Sequence, residues 1–526
     1  MRAVAVLACA ALIAGCGSAG PQAGPGPVPA ELVVSTADGA VRGTETDGVR
    51  VFRGIPYAAP PTGALRWQPP VNPVPWRSVR AATAPGLRCI QDTRVDPDYG
   101  RPTSEDCLNL TVWAPDGARP GSPRPVMVWI HGGGFLNGSA DIYDSRRLAA
   151  RGDIVVVTIN YRLGALGFLA DPALAARPGS APDPGNYGLA DQQAALRWVR
   201  DNIAEFGGDP AKVTIAGESA GAISVCDHLV APESRGLFRA AIMQSGPCQA
   251  QAALPAAQKI SIDYSARIGC ADRASAARCL LELPADRLSG GPPYVRIGAN
   301  ALTGPVTGTQ RLPGPPPELV ARGAAARVPV LIGSTADEFT LFVALSYLRT
   351  RTMASYRTLL VDTFGYQAPA VAARYPVSRY GGSVGLAYAT AVGDGVFACP
   401  IDDLATDLAR RAPVYAYEFN DRTAPVPEPI LEAPFPVGAG HALELRYLFD
   451  MGGAPALDMA QRALSDQMIA YWSRFVTAGT PEAAGRPEWP ALDPERPQRL
   501  SLRTGESTLT TDFADRHRCG FWASLG

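Results

Sequence analysis

Six short apolar runs recur along the chain with longer helical patterns between them: "PVMVWI" (125–130), "DIVVVTINY" (153–161), "KVTIA" (212–216), "RAAIMQS" (239–245), "VPVLIGS" (328–334) and "VYAYEF" (414–419). Most are apolar on both alternations, so neither face of the strand they predict can be left in water. Strands that must be covered on both faces and that alternate with helices belong to a mostly parallel sheet flanked by helices, an α/β architecture. "NYGLADQQAALRWVRDNIAEFGGDP" (186–210) predicts one such helix, with Leu189, Leu196, Val199, Ile203 and Phe206 on one face and Gly207 and Gly208 ending it. Further helices are predicted after Ser219, over 263–283 and over 465–479. Apolar residues make up 47% of the 526 positions, enough to fill the large core that such a sheet requires. The net charge of −1, with no basic stripe interleaved with aromatics, excludes a nucleic-acid partner from the expectation.

The N-terminus reads as a targeting segment. "MRAVAVLACAALIAGCGS" has a basic start at Arg2, an apolar run from Ala3 to Ala14 and small residues before Cys16. The run is too short to span a bilayer and fits a cleaved export signal over 1–16. "IAGC" (13–16) resembles a bacterial lipobox, which makes Cys16 the expected lipidated terminus and the outer face of a bacterial membrane the expected location, with secretion as the alternative. "GSAGPQAGPGPVPA" (17–30) is a Gly/Pro-rich linker, and 31–526, without an internal repeat or a change of composition, reads as one catalytic domain. No other stretch approaches a membrane span. Of ten cysteines, removing Cys9 and Cys16 leaves eight, an even number that can pair in an oxidising compartment. No C-x-x-C is present and there are only four histidines, so no metal is expected. The sequons "NLT" (109–111) and "NGS" (137–139) read as coincidence beside a bacterial-looking signal.

The chemistry concentrates in "KVTIAGESAGAIS" (212–224), where G-x-S-x-G falls on Gly217, Ser219 and Gly221 between a strand and a helix start. A sharp turn there brings backbone against backbone and requires glycine on both sides of the serine. The helix N-terminus favours negative charge developing beside it. Upstream, "VWIHGGGFLNGS" (128–139) sets three glycines after a strand and His131, exposing N–H groups of the kind an oxyanion hole uses. A base and an orienting acid then follow in the order serine, acid, histidine. His131 adjoins the glycine loop, His228 lies on the helix after the serine, and His517 is two residues from Cys519. Chain order and the flanking Gly438 and Gly440 favour His441 as the base. For the acid, "VPVLIGSTADEF" offers Asp337 and Glu338, either of which can accept the imidazole N–H.

These segments, with "FRGIPYAAPPTGALRWQPP" (52–70), "SEDCLNLTVWAP" (104–115), "GGDPAKVTIAGESAGAISV" (207–225) and "CGFW" (519–522), resemble the type-B carboxylesterases, the family of bacterial p-nitrobenzyl esterases and animal cholinesterases. The resemblance covers nearly everything after the linker and implies the α/β-hydrolase fold, a serine esterase and no cofactor. Carried over position by position, it implies Ser219 as nucleophile, His441 as base and Glu338 as acid, with the amides of Gly133, Gly134 and Ala220 as oxyanion donors. It also implies disulfides Cys89–Cys107, Cys270–Cys279 and Cys399–Cys519, leaving Cys226 and Cys248 to pair with each other. Pocket-lining residues are expected around 284–325 and 340–400, the first region holding the loop-rich 291–317. The loop "IQDTRVDPDYGRPTSED" (90–106) has no tryptophan, so choline would lose its best cation–π partner and a cholinesterase is not expected. The expected partner is a small-molecule ester. Lactone, carbamate or polyester hydrolysis by the same triad is the near alternative, and a non-catalytic scaffold relative the distant one. Membrane contact is expected only through the lipid anchor, and oligomeric state does not follow from the sequence.

Overall fold

The structure is a computed structural model that describes residues 32–93, 101–176, 184–298 and 300–525. The export signal, Cys16 and the linker lie outside the described residues, as do positions 94–100 of the loop 90–106. The organising element is an eleven-stranded sheet. Its strands in chain order are β1 (Thr44–Thr46), β2 (Val49–Pro56), β3 (Asn109–Pro115), β4 (Arg124–Ile130), β5 (Val155–Ile159), β6 (Gly208–Glu218), β7 (Ala240–Gln244), β8 (Val330–Thr335), β9 (Val414–Phe419), β10 (Arg499–Leu502) and β11 (Thr508–Thr510). Across the sheet they run β11-β10-β9-β8-β7-β6-β4-β5-β3-β2-β1. The seven strands β4 to β10 are parallel, and β1 to β3 and β11 add antiparallel pairings at the two sides.

Each of the six apolar runs forms one of the parallel strands. Every residue of β5, β7, β8 and β9 is buried, as strands covered by helices on both faces must be. β6 starts earlier than its apolar run. Gly208 already pairs with Arg124, and the register shifts before Val213. Gly207 alone, at φ 86°, therefore ends the preceding helical segment, which comprises Tyr187–Asn202 and a tighter turn Ile203–Phe206. The five residues predicted to share a helical face are all buried.

Three readings change. The predicted helix over 263–283 is two helices, Leu254–Arg267 and Ala276–Glu282, because Gly269 takes φ 107° and the Cys270–Cys279 bridge folds the chain back across the break. One further stretch, Val384–Ala409, is long and apolar enough to cross a bilayer by length and composition, with mean hydropathy 1.4 in its most apolar window. That window is 67% buried within the protein, so the apolar character serves the core. The helix predicted over 465–479 starts earlier, at Met459, where Asp458 and Gln461 form a reciprocal capping box, and Gly479 ends it.

All four disulfides are formed: Cys89–Cys107, Cys226–Cys248, Cys270–Cys279 and Cys399–Cys519. Cys226 lies on the helix Ala220–Val230 and joins it to the segment following β7. The bridge between Cys399 and Cys519 spans 120 residues of sequence. Replacing both of its cysteines by serine should lower stability by about 4–5 kcal/mol in the chain-entropy account, read as a lower chemical-denaturation midpoint than wild type with a steeper slope, because the released unfolded chain exposes more surface.

Candidate active site

Because β4, β6, β8 and β9 run parallel, the segments that follow their C-terminal ends gather on one edge of the sheet. The glycine loop follows β4, Ser219 follows β6, Asp337 and Glu338 follow β8, and His441 lies in the connection after β9. Ser219 occupies the single residue between β6 and the helix Ala220–Val230, with φ 54° and ψ −124°, a conformation that costs a non-glycine residue strain. Its N–H donates to the Gln244 carbonyl at 2.9 Å, which pins the turn to the end of β7. The flanking glycines are required by contact. A Cβ on Gly217 would lie 2.5 Å from the Gly221 carbonyl carbon, and one on Gly221 would lie 2.0 Å from the Ile130 oxygen.

His441 is 5% exposed, and its Nδ1 sits 2.6 Å from Glu338 Oε2. The other Glu338 oxygen accepts the Thr335 N–H at 2.7 Å, so the carboxylate is held on both sides. Asp337 faces elsewhere. It accepts from the Arg422 guanidinium at 2.8 and 3.2 Å and from the Ala439 N–H at 3.0 Å, bracing the loop that carries His441. The alternative left open by the spacing is thus resolved geometrically: Glu338, and not Asp337, reaches the imidazole. Gly133 and Gly134 take φ 103° and 61°. Among the described residues, the N–H groups of Gly133, Gly134 and Ala220 donate to no protein acceptor.

The remaining histidines are engaged in packing. His131 stacks on Tyr161 with ring centroids 4.4 Å apart, and burial pushes its pKa down to about 4. His228 bridges Ser234 Oγ at 2.8 Å and Gln192 Oε1 at 3.0 Å, and burial lowers it to about 3. His517 lies between Asp394 and Glu418, at 2.6 and 2.7 Å.

Several residues at the site escaped the sequence reading. Glu218, inside "GESAG", is buried with Oε1 3.0 Å from His441 Nε2 but outside hydrogen-bonding direction. Glu444, three residues after His441, is fully buried. Its Oε1 accepts the Gln244 amide at 3.1 Å, and Gln244 in turn accepts the Trp472 indole at 2.9 Å. The i, i+3 spacing of His441 and Glu444 was the available signal, but it becomes meaningful only once the turn Leu443–Tyr447 is known. Burial, reinforced by the charges of Glu218 and Glu338, raises the Glu444 carboxyl to about 8. At His441 burial opposes the imidazolium, yet Glu218 and Glu338 outweigh it and raise the pKa well above the ordinary histidine value.

The expected variable regions supply apolar walls. Phe342 and Phe397 pack on the His441 ring with centroids 4.9 and 5.4 Å away. Leu302, on a short hairpin in the 291–317 region, lies 3.0 Å from where a Cβ on Gly134 would be.

Residues 30–522 match the carboxylesterase family. The chain is 36% identical over 481 residues to fumonisin B1 esterase of Sphingopyxis macrogoltabida, covering 88% of this chain and 85% of that protein. It is 36% identical over 479 residues to acylcarnitine hydrolase of Mus musculus, covering 85% and 82% respectively. Among solved structures, a thermophilic PNB esterase superposes with a TM-score of 0.80 at 31% identity, covering 94% of this chain and 100% of that one. A second PNB esterase gives 0.79 at 34%, covering 93% and 100%. With the sheet described above, these similarities establish the α/β-hydrolase fold and a carboxylic ester hydrolase: the chain belongs to the carboxylesterase family.

Proposed function

We propose that the hydrolysis proceeds through an acyl-enzyme on Ser219. Ser219 Oγ attacks the ester carbonyl carbon while His441 takes its proton, and the amides of Gly133, Gly134 and Ala220 hold the oxyanion. Glu338 keeps the imidazole in the tautomer that presents Nε2 to the serine and stabilises the imidazolium. The alcohol leaves with the proton from His441, and water repeats the sequence to release the acid. The observation that carries this reading is the 2.6 Å Glu338–His441 contact, delivered beside the turn that holds Ser219 at positive φ. The apolar surroundings of Phe342, Phe397 and Leu302 favour esters with apolar groups on the acyl or alcohol side.

The carboxylates around His441 set its pH response. A base must be neutral to accept a proton, and Glu218 and Glu338 favour the charged form. Below the raised pKa the imidazolium is idle, so activity rises with pH through that range. We further propose export and anchoring through a lipid on Cys16. Support comes from the apolar N-terminal run, the "IAGC" sequence and the four disulfides, which an oxidising compartment permits.

Three outcomes are expected. Ser219→Ala, assayed beside wild type on p-nitrophenyl esters from acetate to decanoate, should lose on the order of 10⁴–10⁶ in turnover while remaining folded; wild-type activity in the variant would remove Ser219 from the mechanism. Glu218→Gln deletes one negative charge beside His441, so the acid limb of kcat/KM against pH should move to lower pH; an unmoved limb would mean that Glu218 does not act on the base. In a bacterial host, full-length protein should fractionate with membranes and Cys16→Ser should not; equal partitioning of the two would rule out the anchor.

A further inference from the structure

The connection between the helices Val384–Val392 and Cys399–Ala409 is a π-helical turn, Gly393–Ala398, a rare conformation that often marks functional positions. One side of this turn touches the catalytic pair. A Cβ on Gly393 would be 3.6 Å from the Cβ of Glu338, and Phe397 packs edge-on against the His441 ring. The other side is gripped by the C-terminal segment. Asp394 receives His517 Nδ1 at 2.6 Å and Arg518 at 3.1 Å, and Gly395 has no room for a Cβ because Trp522 lies 2.6 Å from that position. Cys399, the residue after the turn, is bonded to Cys519.

From this juxtaposition we propose that His517 is a positioning residue for ester hydrolysis, holding the π-turn against Glu338 and His441 from the far side. The proposal rests on the triad reading given above. It concerns a group that touches no substrate and acts only through Asp394 and the turn.

The electrostatics fit a charged clamp. His517 is 5% exposed and its Nε2 lies 2.7 Å from Glu418 Oε1 on β9, so a single imidazolium ties the turn to the sheet. Arg516 pairs with the same Glu418, and Asp512 with Arg516. On the side of the turn, Tyr375 donates to Asp394 at 2.8 Å, and Tyr380 lies within the field of Arg518. Burial opposes the charge on His517, but hydrogen bonds to Asp394 and Glu418 raise its pKa to about 9. In the folded protein the imidazolium persists through neutral pH and is lost as pH rises through about 9; the stability it contributes is full below the ordinary 6.5 and is gone above about 9. Neutral His517 keeps only one N–H, so one of the two carboxylates loses its donor.

The test uses the full chain with His517→Gln and, separately, Asp394→Asn. For both we expect kcat on p-nitrophenyl acetate to fall between about tenfold and about 100-fold with KM little changed, because the chemistry and not the binding is misaligned. The double variant should fall no further than either single one. In wild type, kcat should decline reversibly around the pKa of about 9, and this decline should be missing from His517→Gln. If neither variant folds, the wild-type decline remains the reading, followed together with the protein's total tryptophan fluorescence. Folded variants with wild-type kcat and lower thermal stability alone would overturn the proposal, as would a wild-type kcat flat across that pH range.

Discussion

The candidate active centre depends on how closely the Ser219 turn lies against the strand beside it. Gly221 sits against the carbonyl of Ile130 at the end of β4, and Gly217 against Gly221 itself, so neither glycine position has room for a side chain. This contact fixes the helix Ala220–Val230 relative to the sheet and aims its N-terminal amide at the edge where the Gly132–Gly134 loop leaves β4. Positive φ at Ser219 is strain that the surrounding pairings must offset. They do so through the Ser219–Gln244 hydrogen bond and the register of β6 with β4 and β7.

On that frame the electrostatics are concentrated on one imidazole. Three buried carboxyl groups, Glu218, Glu338 and Glu444, surround His441, and only Glu338 makes a hydrogen bond to it. Burial beside the charges of Glu218 and Glu338 pushes the Glu444 carboxyl up to about 8. Gln244 links this acid to Ser219: its side chain holds Glu444 and Trp472, and its carbonyl holds the Ser219 N–H. The same device recurs at His517, where an imidazolium between two carboxylates ties sequence-distant segments together.

The sequence made some parts of this legible and hid others for definite reasons. Buried parallel strands were readable because burial on both faces leaves a continuous apolar run, as in β5 and β9. The start of β6 was not, because Gly208 and Asp209 carry no strand pattern and Gly208 pairs with Arg124 ahead of a register shift. Asp337 and Glu338 are adjacent in sequence and indistinguishable in charge; which one meets His441 depends on the turn after β8, and Arg422 and Ala439 take up the other. Glu218 and Glu444 escaped notice because a buried acid looks in sequence like an exposed one. The helix break near Gly269 was masked by helical composition on both sides.

By itself the sequence determined the fold class, and it singled out the tight turn at Ser219 and a short set of candidate acids and bases, because those follow from local sterics, strand burial and chain order. Only the tertiary structure decided which carboxylate reaches His441, that two further acids share its field, and that the C-terminal segment presses on the same site through the π-turn. The reason is physical: hydrogen bonding and desolvation act over a few ångströms, and His441 meets Glu218, Glu338, Phe397 and Glu444 only after the parallel sheet has brought separate segments to a common edge.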